Sequence, residues 1–143
     1  MLNPIPWEVY DTRPNAIQAL AKDPGVALGK PLRTLAPLVI QEVRGVTCVF
    51  YDEDIWTRQA VVLQPLLESL ITDFGRDRIL LDFSNQDRIG SPSMACIYAL
   101  GMSLTEIGGR FGMCHLNQTL LDFLRWHDGE RLTFPMQDKQ EPT

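Results

Sequence analysis

From Leu38 onward, apolar and polar positions switch repeatedly between two periods. Residues 38–43 and 45–51 are short runs rich in β-branched and aromatic side chains. Arg44-Gly45 separates them, and the pair predicts a hairpin. Trp56, Ala60, Leu63, Leu66, Leu67, Leu70, Ile71 and Phe74 then recur at steps of three and four, one face of an amphipathic helix. Pro65 falls inside that run and predicts a kink there or a helix that starts late, at Pro65 itself. Residues 78–83 are apolar without alternation, as expected of a strand buried on both faces. Met94, Ile97, Tyr98, Gly101, Leu104 and Ile107 restore helical spacing until Gly108-Gly109 ends it. Residues 110–115 predict a strand, Asn117 caps a helix over 117–126, and 132–134 read as an edge strand.

The order is therefore β-β-α-β-α-β-α-(β). Strands joined through helices need right-handed crossovers, so the expected fold is α/β, a mostly parallel or mixed sheet of four to five strands carrying helices. Six of the ten prolines (4, 6, 14, 24, 31 and 37) lie in the first 37 residues, where each removes a donor and fixes φ. Residues 1–37 are thus expected to be an extension with one short helix, capped by Asn15 and stopped at Asp23-Pro24-Gly25. The domain proper is expected at 38–135, with a polar tail at 136–143.

Composition narrows the function classes. A chain of 143 residues, 45% hydrophobic and 22% charged, predicts one ordinary globular domain. The net charge of −5 comes without a basic stripe, which argues against nucleic-acid binding and against an electrostatic membrane anchor. No apolar run is long enough to cross a bilayer, and the first residues lack a basic, then apolar, leader pattern. A cytoplasmic location is expected. Cys48, Cys96 and Cys114 sit in apolar runs without CxxC spacing, so buried free thiols are expected, with no disulfide, zinc site, other metal or cofactor.

The stretch with most chemical promise is residues 79–97, where Asp82 ends an apolar run and Gly90-Ser91-Pro92-Ser93-Met94 opens a helical pattern. Ser before Pro is a favoured N-cap, worth about 1 kcal/mol, so Ser91 is expected to cap the helix. The same helix start would also stabilise a phosphate. A nucleophilic serine would need a base, His115 or the exposed His127, with Asp82 or Asp87 to orient it. The GxSxG elbow is absent and such a triad can be drawn on almost any α/β chain, so no enzyme is expected. The glycines at 108–112 precede a strand, not a helix, and form no phosphate loop. Asp52, Glu53 and Asp54 lack calcium-loop spacing and read as a solvated, dipole-favoured helix start. Trp56, Phe123 and Trp126 hold core spacing.

Residues 38–134 resemble a STAS domain, the fold of bacterial anti-sigma-factor antagonists. Leu81-Asp82-Phe83-Ser84 is similar to that family's strand end, Arg88-Ile89 to its hydrophobic approach, and Gly90–Met94 occupies its Asp-Ser-Ser-Gly-Leu hallmark. The resemblance implies a non-enzymatic module that binds an anti-sigma factor which is itself a serine kinase, with docking controlled by phosphorylation of the second hallmark serine. Here Pro92 stands at that place, Gly90 replaces the aspartate and Ser93 the glycine, which leaves Ser91 and Ser93 as phosphorylation candidates. The implied contact surface is Asp82, Asn85, Gln86, Asp87, Arg88, Gly90, Ser91, Pro92, Ser93 and Met94. Two rival expectations are a constitutive STAS scaffold that docks through residues 1–37, and a small serine or thiol enzyme at the same sheet edge.

Overall fold

The computed structural model describes residues 7–23, 30–32, 35–84 and 86–127, the last three (125–127) without their side chains. In chain order the elements are β1 (Glu8–Tyr10), α1 (Arg13–Leu20), β2 (Ile40–Val43), β3 (Val46–Phe50), α2 (Glu53–Arg58), α3 (Ala60–Thr72), β4 (Arg78–Asp82), α4 (Ser91–Glu106), β5 (Arg110–Cys114) and α5 (Gln118–His127). The strands form one sheet in the order β1-β5-β4-β3-β2. All neighbours are parallel except the β2–β3 hairpin. The expected mixed α/β fold is therefore present. The expected strand at 132–134 and the tail at 136–143 lie outside the described residues.

The hairpin turns on Arg44 and Gly45, both at positive φ (53° and 81°), the requirement of the tight two-residue turn that matches strand twist. β4 is the central strand, and four of its five residues are buried. Alternation along it sends Leu80 to a face covered by α1, with Tyr10, Ala16, Leu20, Val46, Cys48 and Cys114. Ile79, Leu81 and Phe83 go to the opposite face, against Trp56, Leu63, Leu67, Leu70, Met94, Ile97, Leu100, Leu104, Leu120 and Leu124 of α2–α5. All three cysteines are buried free thiols. Burial pushes the Cys48 thiol up to about 11.

Two helix starts differ from expectation. Thr12, not Asn15, caps α1: its Oγ1 accepts the Asn15 N–H at 3.2 Å. Pro14 sits in the first turn, where its missing N–H has no intrahelical partner to lose, so it begins the helix instead of blocking it. Of the two outcomes expected at Pro65, the late start does not hold, because the proline lies inside α3. The chain breaks at Gln59, and α3 runs from Ala60 with Pro65 inside it. Val61, whose carbonyl loses the proline's hydrogen bond, is 89% exposed, so it lies on the solvent side of the helix, where losing that bond costs least.

The boundary expected near Leu38 does not separate two packing units. β1 is an edge strand of the sheet, and Trp7, Val9, Tyr10, Ala16 and Leu20 are buried in the cores on its two faces. Arg110 fastens β1 to β5 through both carboxylate oxygens of Glu8, at 2.6 and 3.0 Å. Lys22 reaches Asp77 at 2.9 Å. Each buried large side chain contributes roughly 1.5–3 kcal/mol, so losing this set is comparable to the whole ~5–15 kcal/mol that holds an ordinary domain together. A chain of residues 38–143 is accordingly expected to show no cooperative urea transition, monitored by tryptophan fluorescence. A transition with the full-length midpoint would mean that α1 and β1 add nothing to the fold.

Candidate functional site

β4 ends in Asp82, and the period of two that buries Leu80 under α1 puts Asp82 on that same face. Its side chain is 2% exposed, so its oxygens need partners. Oδ1 accepts the Ser84 N–H at 2.9 Å and the Ser84 hydroxyl at 2.7 Å. His115 Nδ1 lies 2.9 Å from the same oxygen and 2.7 Å from Ser84 Oγ. Arg13 Nε stands 3.6 Å from Oδ2. Burial alone would push the Asp82 carboxyl up; the bonds from Ser84 and His115 outweigh it and hold the group below the usual aspartate range.

His115 reaches this cluster because it follows β5 at φ 60°, a left-handed turn that breaks the strand's alternation. Cys114, paired in register with Asp82, faces the α1 side, and the turn brings the next residue round to that side as well. Arg13 lies over the Phe50 ring at 5.1 Å and donates to Gln41 Oε1 at 2.6 Å. Beyond it opens a shallow cleft of about 420 Å³, lined by Arg13, Pro14, Ile17, Gln41, Val43 and Arg44.

The second half of the site lies across the sheet, where the loop after β4 meets α4. Its anchor is Glu53, in the first turn of α2. Glu53 Oε1 accepts the Gly90 N–H at 3.0 Å and the Tyr51 hydroxyl, while Oε2 accepts from Thr57 at 2.9 Å. The Glu53 N–H donates to Gln86 Oε1 at 2.9 Å. A Cβ at Gly90 would stand 2.6 Å from Thr57 Oγ1 and 3.0 Å from Glu53 Oε2, so glycine is what lets the clamp close. Among the acidic residues expected to be solvated at this helix start, Asp52 is the side-chain cap and Glu53 is an internal acceptor.

Ser91 is not the N-cap of α4. Gly90 holds that position without a side-chain bond, Ser91 is the first helical residue, and Pro92 the second. The Glu53 carboxylate does from α2 what a capping side chain would do locally. Ser91 and Pro92 are exposed, as are Asp87 and Arg88. Ser93 is fully buried, its Oγ 3.4 Å from Thr57 Oγ1. Met94 is buried in the core on the α4 face. Asn85 lies outside the described residues. Of the proposed contact residues, the structure thus brings Asp87, Arg88, Ser91 and Pro92 to one exposed turn; Gln86 and Gly90 hold that turn in place, and Asp82 faces the other side of the sheet.

The triad drawn from the sequence is half formed. His115 meets Asp82, but the serine beside them is Ser84, and no hydrogen bond joins Ser91 to His115 among the described residues. Ser84 and Asp82 also share one ring nitrogen, so the imidazole cannot take a proton on one side while being held from the other. Arg13, Ser84, Glu53 and Thr57 went unrecognised as site residues. The Leu81–Ser84 strand end pointed to Ser84; nothing local pointed to Arg13, which comes from the segment read as an extension.

No family model matches the chain, and no curated protein matches it. Among solved structures, it is similar to the NMR structure of the protein TM1081, with a TM-score of 0.58 and 18% sequence identity over 80% of this chain and 89% of that one. At that identity the likeness shows the fold, a small α/β domain. No helix among the described residues is long and apolar enough to cross a membrane.

Because the folded-state Asp82 carboxyl titrates below its unfolded value of about 3.9, its contribution is complete above that pH and is lost as pH falls through the lower folded value. Asp82→Asn is expected to flatten the acid limb of stability below about pH 4 by part only, since Glu8 and Glu42 are held low as well. Urea midpoints from pH 2 to pH 7 measure this; an unchanged acid limb would contradict it. Glu53→Ala orphans three donors at about 1–3 kcal/mol each if none is rehydrated, and a loss of roughly 2–4 kcal/mol is expected. Hydrogen exchange at the Gly90 amide should accelerate in the same variant.

Proposed function

We propose that the chain is a non-enzymatic protein-binding module of the STAS kind, acting as an anti-sigma-factor antagonist or a close regulatory analogue. Its partner on this reading is an anti-sigma-factor protein with a serine-kinase fold. The observation that carries the reading is the exposed turn Asp87-Arg88 and Ser91-Pro92, fixed at the start of α4 by the Glu53–Gly90 clamp. A rigid, exposed helix start suits docking, because little ordering entropy remains to be lost on binding. The strand-loop-helix stretch 81–94, which carries the family resemblance, is the stretch that forms this turn.

Exposure favours Ser91 over Ser93 as the modified residue. A phosphate on Ser91 adds about −1.5 to −2 charge in the docking turn itself. A kinase reaches Ser93 only after the Tyr51–Glu53–Thr57 side has opened, and the new charge would then sit next to the Glu53 carboxylate. Pro92, which has no hydroxyl, supports the second reading, a constitutive scaffold of the same fold.

Pull-down from the native cell followed by mass spectrometry identifies the partner, and its affinity is then measured by calorimetry. Ser91→Asp and Arg88→Ala are each expected to weaken binding at least tenfold, with Ser91→Ala near wild type. If binding is lost on Arg88→Ala but unchanged by Ser91→Asp, the turn docks without a phosphorylation switch. Indifference to both substitutions would refute docking through this turn.

A further inference from the structure

Where β4 and β5 end on the α1 face, one ligand atom each from Asp82, Cys114 and His115 lies within 4.8 Å of the other two. We propose that these three residues form a binding site for a borderline-soft divalent cation, of which zinc is the type. The sequence argued against a zinc site, because its cysteines sit in apolar runs without CxxC spacing, and adjacent Cys114 and His115 on a regular strand would face opposite ways. The left-handed backbone at His115 removes that objection.

The donor set selects the ion. A thiolate, an imidazole nitrogen and a single carboxylate oxygen suit zinc or cobalt, whereas magnesium and calcium require an all-oxygen shell. Tetrahedral zinc holds its ligand atoms roughly 3.2–3.7 Å apart, so a pair at the 4.8 Å bound would have to close by about 1 Å or slightly more. The Asp82 carboxylate is already divided in the required way. Oδ1 faces Ser84 and His115, while Oδ2 faces Arg13, which would remain as an outer partner holding the carboxylate in position. The Ser84 hydroxyl, 2.7 Å from Oδ1 and from Nδ1, or a water entering beside the part-exposed His115, would complete four ligands.

The proton balance is simple. The Cys114 thiol, which makes no hydrogen bond among the described residues, loses its proton to solvent. The proton on His115 Nδ1 leaves and Nε2 takes one up, so the neutral ring donates a lone pair to the metal. One proton is released per ion, and a divalent cation with one thiolate and one carboxylate is neutral overall. The site lies on the opposite face of the sheet from the first turn of α4, so it stands or falls separately from the docking reading.

The experiment uses the full chain, reduced and stripped with chelator, titrated with cobalt(II) and then zinc. A thiolate-to-cobalt charge-transfer band is expected at one cobalt per chain, bleached by an equal amount of zinc. Cys114→Ser should abolish it, His115→Gln should weaken zinc affinity at least tenfold, and Cys48→Ser should leave both unchanged. Should Cys114→Ser fail to fold by circular dichroism, Asp82→Asn takes its place, with a tenfold or greater loss of zinc affinity against a competing dye. Absence of the band in excess cobalt, or its persistence in Cys114→Ser, overturns the proposal.

Discussion

An ionised carboxyl taken out of water costs several kcal/mol unless its oxygens find donors. That condition, imposed by Asp82 at the end of the central strand, organises one edge of this sheet. Ser84 supplies two donors, His115 a ring nitrogen and Arg13 a guanidinium. These groups come from the loop after β4, the turn after β5 and the first turn of α1. Three segments far apart in the chain are thus held at one point by a single acid. The same need accounts for the left-handed His115, a conformation uncommon for non-glycine residues, since an extended residue would carry the ring to the other face.

Across the sheet, Glu53 plays the corresponding part with a different chemistry. Its carboxylate is part-buried and accepts from a tyrosine, a backbone amide and a threonine, none of them charged. What it fixes is the entry of α4, whose cap residue has no side chain to do so. A helix start capped by its own serine can move with the loop that carries it. One capped from α2 is positioned relative to the body of the protein, and the exposed Ser91-Pro92 step inherits that position.

Much of the fold was legible because its elements follow strong periods. Buried β4 read as an unalternating run, α4 as a three-four repeat, and Arg44-Gly45 as a hairpin turn, all from local pattern. The errors share one cause, which is that caps and edge strands are decided by partners distant in sequence. Ser91 looked like a cap because Ser-Pro is a good one locally, yet Glu53 arrives from 37 positions earlier. Tyr10 and Leu20 looked like parts of an extension because prolines surround them, yet β5 offers an open edge to pair with. Glu53 itself was read as solvated, since nothing in Asp52-Glu53-Asp54 distinguishes the part-buried acceptor from its neighbours. The site was legible as a place, the end of β4, but not as two faces.

That division into faces is what fixes the register of the sheet's centre. A slip of β4 by one residue would turn Asp82 toward the apolar cluster that holds Phe83, Tyr51 and Trp56, and would bring Leu81 under Arg13. The apolar residues of β4 cannot by themselves forbid this, because Ile79, Leu80 and Leu81 are similar in size and all fully buried. The polar residue at the strand's end breaks that degeneracy. The Tyr51 N–H bonds the Asp82 carbonyl at 2.9 Å, and the Tyr51 hydroxyl bonds Glu53, so the register set by Asp82 also sets where Glu53 stands. The Ser91-Pro92 turn and the Asp82 cluster are therefore placed by one alignment, and each would be lost with it.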